Sequence, residues 1–135
     1  MSNNLLKGKR GIIFGALNDM SIAWKVAERA QEEGATFTLT NAPIAMRMGA
    51  INDLAEKTNS EVIPADATSV EDLKHLFEKS QEILGGKVDF VLHSIGMSPN
   101  VRKKKPYTGL NYEWYKQTLD AVSYTHLRAH ETTSY

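Results

Sequence analysis

The sequence has no cysteine, which excludes disulfides, thiol catalysis and zinc–thiolate clusters. It has no excess of charge either. Sixteen Lys and Arg balance sixteen Asp and Glu, so no global field recruits nucleic acid or an anionic membrane. No apolar run approaches the roughly 18 residues of a membrane span. Met1 to Arg10 is polar and basic, without the apolar centre of a secretion signal. A soluble, cytoplasmic protein with neither nucleic acid nor membrane as partner is the expectation. What remains is an ordinary globular composition, 41% hydrophobic and 24% charged over 135 residues, which suits one compact domain.

Short apolar runs alternate with longer amphipathic ones through residue 120. Gly11 to Gly15 reads as a buried strand closed by glycine. Ile22, Ala23, Val26, Ala27 and Ala30 then recur at helical spacing, opposite Lys25, Glu28, Arg29 and Glu32. Thr36 to Thr40 is rich in β-formers, Ile44 to Thr58 reads as one helix, and Val62 to Pro64 as a short edge strand. Thr68 to Glu71 has the form of a capping box before a helix ended by Gly85 and Gly86. Val88 to Ser94 is the fourth strand, and Asn111 to Asp120 opens another helix. Four β–α repeats with short connections force a parallel sheet, so the fold class is α/β.

Three motifs fall at carboxyl ends of strands, where open α/β sheets bind ligands. Gly15 ends the first strand without a Cβ, Ser21 is a good N-cap, and Ala23 lets the helix lie close to the sheet. Such a turn can cradle a pyrophosphate on backbone N–H groups, although an ordinary strand–helix turn explains it equally well alone. Asp66-Ala67 follows the third strand, where it either meets an adenine edge or merely precedes a helix. His93-Ser94-Ile95-Gly96 ends the fourth. Gly96 permits a close backbone approach, and His93 reads as a strand histidine rather than a catalytic one.

Gly15-x5-Ser21-Ile22-Ala23, Asp66-Ala67 and His93-Ser94-Ile95-Gly96 together resemble the divergent branch of the short-chain dehydrogenase/reductase family, the bacterial enoyl-(acyl-carrier-protein) reductases. Typical family members carry Gly-x3-Gly-x-Gly in the first loop and Asn-Asn-Ala-Gly after the fourth strand. Here the loop is two residues longer, Ser and Ala replace the later glycines, and Ser-Ile-Gly replaces Asn-Ala-Gly. The resemblance covers roughly residues 5 to 120. It implies a partial Rossmann-like, doubly wound sheet with strand order 3-2-1-4. It implies that Gly15, Ser21 and Ile22 hold a pyrophosphate, and Asp66 and Ala67 an adenine. Ser94, Ile95 and Gly96 would hold the ribose and nicotinamide side, and Ser98 would border the acyl substrate. The implied reaction is NAD(P)H-dependent reduction of a trans-2-enoyl group borne on acyl carrier protein, in fatty acid synthesis, by a homo-oligomeric enzyme. The family favours NADH. Residue 42, a Gln in many relatives, is Ala here, and neither Asp nor Arg directly follows the second strand, so NADPH stays open.

No catalytic residue is assigned. The reductase branch uses Tyr-x6-Lys, and no tyrosine of this chain has a lysine seven positions on. Tyr112-x3-Lys116 matches ordinary short-chain dehydrogenases, but it falls one element too early and reads as a helix face. The basic run Arg102 to Lys105 is either a solvated loop or an attractor for an acidic carrier protein. No metal site is expected. His126, His130 and Glu131 mimic one, but they lie in a stretch that changes character after Val122 and resembles translated adapter sequence. Residues 1–121 are thus expected to be the cofactor-binding half of a longer enzyme, and residues 122–135 a foreign, disordered tail. A different short-chain oxidoreductase and a non-catalytic dinucleotide-binding module remain as alternative functions.

Overall fold

The elements run in the order β1 (Arg10–Phe14), α1 (Ile22–Glu32), β2 (Thr36–Thr40), α2 (Ala50–Thr58), β3 (Glu61–Val62), α3 (Val70–Leu84), β4 (Phe90–His93) and α4 (Tyr112–Leu119). Short 3₁₀ turns occupy Ala45–Met48 and Tyr107–Gly109. The computed structural model describes residues 3–95 and 103–120, in two units, Met1–Ser94 and Ile95–Tyr135.

In the first unit the four strands are parallel in the order β3-β2-β1-β4, the arrangement the resemblance implies. β1 is buried at all but its first residue, and a strand buried on both faces needs a layer on each. Ile13, Phe37 and Leu39 on one face join Ala23, Trp24, Ala27 and Ala30 of α1 and Ile51, Leu54 and Ala55 of α2 in one cluster. Thr38 alternates with Phe37 and Leu39 along the pleat. Its Oγ1 lies 2.8 Å from Ser80 Oγ, which places α3 on the opposite face. Gly11 sits opposite Phe90 in register, and a Cβ there would lie 2.2 Å from the Phe90 ring. The missing side chain is therefore the space that the ring fills. β4 pairs with β1 on one side and, among the described residues, with no strand on the other. Its four residues are only half-buried.

Several element boundaries differ from the sequence expectation, each for a local reason. The run Ile44 to Thr58 is not one helix, because Gly49 at φ 76° separates the 3₁₀ turn from α2. β3 keeps two residues. Ile63 still donates its N–H to Leu39 O at 2.9 Å, but Pro64 has none to give. The expected capping box at the start of α3 does not form, because Ser69 N donates to Asp66 O rather than to a side chain at the third helical position. Ser69 is the N-cap, with its hydroxyl accepting from Asp72 N at 3.2 Å. Glu71 takes no part in it; Asp72 stands at the third helical position and accepts Asp66 N at 2.9 Å.

The largest correction concerns α1. Its buried stripe is Ala23, Trp24, Ala27 and Ala30, whereas Ile22 is 74% exposed and Val26 36%. Small alanines let the helix approach the sheet closely, and the bulkier Ile22 and Val26 turn outward.

The second unit holds α4. Asn111 caps it by accepting Trp114 N at 3.1 Å, and Thr118 Oγ1 donates to Trp114 O at 3.0 Å. Its apolar and aromatic side chains are exposed or half-buried, with none fully buried. The expected tail, residues 122–135, lies outside the described residues.

Candidate functional site

Parallel pairing brings four chain segments into one row. Phe14 is in register with Thr40 on one side and His93 on the other, so Gly15, Asn41 and Ser94 leave the carboxyl ends of adjacent strands together. Ala65 N donates to Asn41 O at 3.1 Å, which adds Asp66 at the far end. The row Asp66, Asn41, Gly15, Ser94 spans three strand spacings, about 14 Å at ~4.8 Å each.

The loop from Gly15 to Ser21 is shaped by its own polar groups. Gly15 has φ 94°, a conformation that a side chain disfavours, and its N–H donates to Thr40 O at 3.1 Å. Ser21 does begin α1, but its hydroxyl does not cap the helix. Instead Ser21 Oγ accepts Leu17 N at 3.0 Å and Asn18 N at 3.1 Å. A hydroxyl has two acceptor sites and one donor hydrogen. Both acceptor sites are filled by loop N–H groups, so the hydrogen is left to donate. The head of α1 has no side-chain cap and no acidic residue in its first turn. Its first N–H groups and the positive end of its dipole are thus left without a side-chain acceptor or carboxylate from the first turn, as anion binding requires. Asp19 is the loop's one carboxylate, and it is exposed. Below the loop, Asp19, Met20, Ser21, Ile22, Lys25, Val26 and Arg29 line an open hollow of about 490 Å³.

Asp66 is exposed at the other end of the row. Its Oδ1 accepts Thr68 N at 2.9 Å and Thr68 Oγ1 at 2.7 Å, and its own N–H is held by Asp72. The turn is rigid, and Oδ2 has no partner among the described residues. Ala67 beside it is half-buried. Ser94 is half-buried at the end of the first unit, and Ile95 opens the second. Gly96 and Ser98 lie outside the described residues. The His93 ring packs on Phe14 with centroids 5.8 Å apart, as a strand histidine would.

Two residues that sequence reasoning passed over organise this end. Asn41 Nδ2 donates to Ala16 O at 3.2 Å while its Oδ1 accepts Ala42 N at 2.8 Å, so one side chain ties the ends of β1 and β2. Asn18 Oδ1 accepts Met20 N at 2.9 Å and fixes the turn before Ser21. An asparagine directly after a β-rich run was the available signal for the first. In the second unit, Tyr112 and Lys116 lie on an exposed helix face, with Lys116 Nζ 5.6 Å from the Tyr112 ring and 3.9 Å from Glu113.

A parallel sheet in the order 3-2-1-4, covered on both faces and carrying a glycine-led loop onto a helix head, defines the Rossmann-like doubly wound class. The comparisons make this specific. Residues 15–132 match the family described as Enoyl-(Acyl carrier protein) reductase, and the chain belongs to that family. It is 32% identical over 120 residues to enoyl-(acyl-carrier-protein) reductase (NADH) 2 of Rhizobium meliloti, covering 87% of this chain and 43% of that protein. It is 31% identical over 122 residues to the reductase FabI of Aquifex aeolicus, covering 90% and 44%. Among solved structures it is similar to the FabI–NADH complex of Alistipes finegoldii, with 60% identity and TM-score 0.91 over 96% of this chain and 46% of that one. The chain spans less than half the length of the curated relatives it matches.

Proposed function

We propose that this chain is the cofactor-binding part of an NADH-dependent enoyl-(acyl-carrier-protein) reductase of fatty acid synthesis. The observation that carries the reading is the Ser21 hydroxyl, whose acceptor sites are filled from within the loop at an uncapped helix head. That arrangement suits a pyrophosphate and gives a helix cap no advantage. The likeness to a structure solved with NADH adds to it. Gly15, Ser21 and Ile22 would hold the pyrophosphate and Asp66 and Ala67 the adenine. Ser94, Ile95 and Gly96 would lie on the ribose and nicotinamide side, with Ser98 bordering the acyl chain. When bound there, NADH would supply the hydride that reduces the β-carbon of the trans-2-enoyl thioester. The enolate oxygen then needs a hydrogen-bond donor, and this chain has no Tyr-x6-Lys to provide one. Residues 41–46 carry no charged side chain, so no charge directly after β2 discriminates against the additional phosphate of NADPH. The substrate is carrier-borne, and the whole enzyme is a cytoplasmic homo-oligomer.

Calorimetric titration with NADH, paired with an absorbance assay on a crotonyl thioester, tests this. The relatives extend well beyond the span matched here, and each further hydrogen bond that such a region would make to the cofactor is worth about 0.5–1.5 kcal/mol. Saturable NADH binding is therefore expected, at an affinity about a hundredfold below that of a full-length relative, with no measurable turnover. Absence of saturable NADH binding by the folded chain overturns the reading.

A further inference from the structure

The second unit carries a charge cluster that the cofactor site does not use. Lys103, Lys104 and Lys105 are consecutive and all exposed. Lys104 has φ 54°, in the left-handed region that lysine seldom adopts. The turn made there brings the side chains on either side of it to one aromatic surface. Lys103 Nζ lies 4.6 Å from the centroid of the Trp114 ring, and Lys105 Nζ lies 5.7 Å from it. Two like charges thus share one indole, held by its quadrupole against their mutual repulsion. None of the three lysines forms an ion pair among the described residues. The one carboxylate in the first turn of α4, Glu113, stands 3.9 Å from Lys116 instead. The chain as a whole is neutral, so this is a local excess, gathered around one indole ring and without an ion-pair partner among the described residues.

We infer that Lys103 and Lys105, placed over the Trp114 ring, form with Lys104 between them a docking surface for the acidic face of the carrier protein that delivers the enoyl substrate. The inference rests on the function proposed above, because only a protein-borne substrate requires a protein docking surface. A basic, aromatic patch also fits single-stranded nucleic acid. The protein partner is favoured because the patch presents one indole and three ammonium groups on a short turn. A nucleic-acid groove would have a run of stacking rings along a charged channel.

The test uses the full 135-residue chain and a purified acyl carrier protein without an acyl group, so that recognition of the protein surface is read alone. Binding is measured by calorimetry, with NADH titrated in parallel. The wild type should bind the carrier and lose about tenfold in affinity as salt rises from about 0.05 to 0.3 M. Lys103→Glu/Lys105→Glu should weaken carrier binding by about tenfold or more while NADH affinity stays unchanged. Lys74→Glu/Lys79→Glu makes the same change in net charge on exposed positions of α3, and it should bind the carrier like wild type. Trp114→Leu keeps every charge but releases the lysines from the ring, with an expected loss of about threefold. No carrier binding by wild type, an unaffected Lys103→Glu/Lys105→Glu variant, or an equal loss in the α3 control overturns the inference. So does binding of an oligothymidylate, sensitive to the same reversal, in the absence of carrier binding. Failure of NADH binding in the parallel titration instead counts against the function proposed above.

Discussion

The two ends of the sheet treat their polar groups in opposite ways. At the amino end, Arg10, Asp89 and Glu33 are engaged internally. Arg10 N donates to Asp89 Oδ2 and Asp89 N to Arg10 O, at 2.9 and 2.7 Å, and Arg10 Nε donates to Leu84 O at the end of α3. Glu33, almost fully buried, accepts Asn3 N and Leu5 N at 2.9 and 3.1 Å and pairs with Arg29 at 2.7 Å. At the carboxyl end the groups are held in place but keep capacity in reserve: the Ser21 hydrogen, the first N–H groups of α1 and the second oxygen of Asp66. Buried polar groups cost free energy unless they are paired. Full pairing therefore belongs where only the fold is served, and reserve capacity belongs where a ligand completes the pairing. Stability and binding should then be separable by position.

The largest expected effect breaks the amino end. Gly11→Ala places a Cβ 2.2 Å from the Phe90 ring, and overpacking of this kind should cost about 2 kcal/mol in a urea melt. Phe90→Ala in the same chain should recover part of the loss, and NADH affinity of the folded protein should not change. A parallel fall in affinity would show that the two ends are coupled. The next effect belongs to the carboxyl end. Ser21→Ala removes a donor to a charged group, worth about 1.5–3 kcal/mol, so NADH affinity should drop at least about tenfold. Ser21→Thr should retain most of it. An Ser21→Ala variant with wild-type affinity would mean that the hydroxyl serves the loop alone.

Glu33 gives the comparison a pH dependence. Its carboxyl is held below the usual carboxylate range, first by the Leu5 N–H, then by the Asn3 N–H and Arg29, against an upward push from burial. A depressed folded-state value means that the stabilisation is complete above the unfolded value near 4.5 and is lost as pH falls through the folded one. Glu33→Gln should therefore melt below wild type at neutral pH, and the gap should close in acid. NADH binding at neutral pH should be unaffected. A gap independent of pH would assign the effect to packing rather than to charge.

The four parallel strands and the places where they end were legible in the sequence because they rest on periodicity, glycine placement and chain direction, which local pattern encodes; the order 3-2-1-4 came from the family resemblance. The orientation of α1 was not. Ile22, Ala23, Val26 and Ala27 share one helical spacing with two possible faces. Hydrophobicity favours the face with Ile22 and Val26, and the close approach of helix to sheet selects the alanines. The role of the Ser21 hydroxyl was half legible. Its position at the helix start follows from residue type, but its acceptance of Leu17 and Asn18 N–H depends on a loop conformation that Asn18 sets through Met20. Asn41 was missed because its value lies in a contact to Ala16, 25 positions away. Gly96 and Ser98, assigned by resemblance, lie outside the described residues.

The smallest expected effect separates two threonines on one face of β2. Thr38 and Thr40 are both fully buried. Thr38 Oγ1 meets Ser80 Oγ at 2.8 Å, whereas Thr40 Oγ1 has no hydrogen-bond partner among the described residues. A buried hydroxyl without a bond costs about 1–3 kcal/mol, and a bonded one contributes a net 0.5–1.5 kcal/mol or so. Valine keeps the shape of threonine and removes the hydroxyl. Thr38→Val should therefore destabilise by about 1 kcal/mol, because it strands Ser80. Thr40→Val should be neutral or stabilising by up to about 1 kcal/mol, because it removes an unmet group. The position of Thr40 sharpens the test. It is the last residue of β2, its carbonyl accepts Gly15 N, and the next residue, Asn41, belongs to the row of strand ends proposed above to hold the cofactor. If Thr40→Val gains stability and NADH affinity is unchanged, the hydroxyl is a packing defect at the edge of the site. If it gains stability and loses NADH affinity, the unmet hydroxyl belongs to the reserve capacity of the carboxyl end. If it loses stability as Thr38→Val does, the group is satisfied in solution, and the contrast between the two threonines fails.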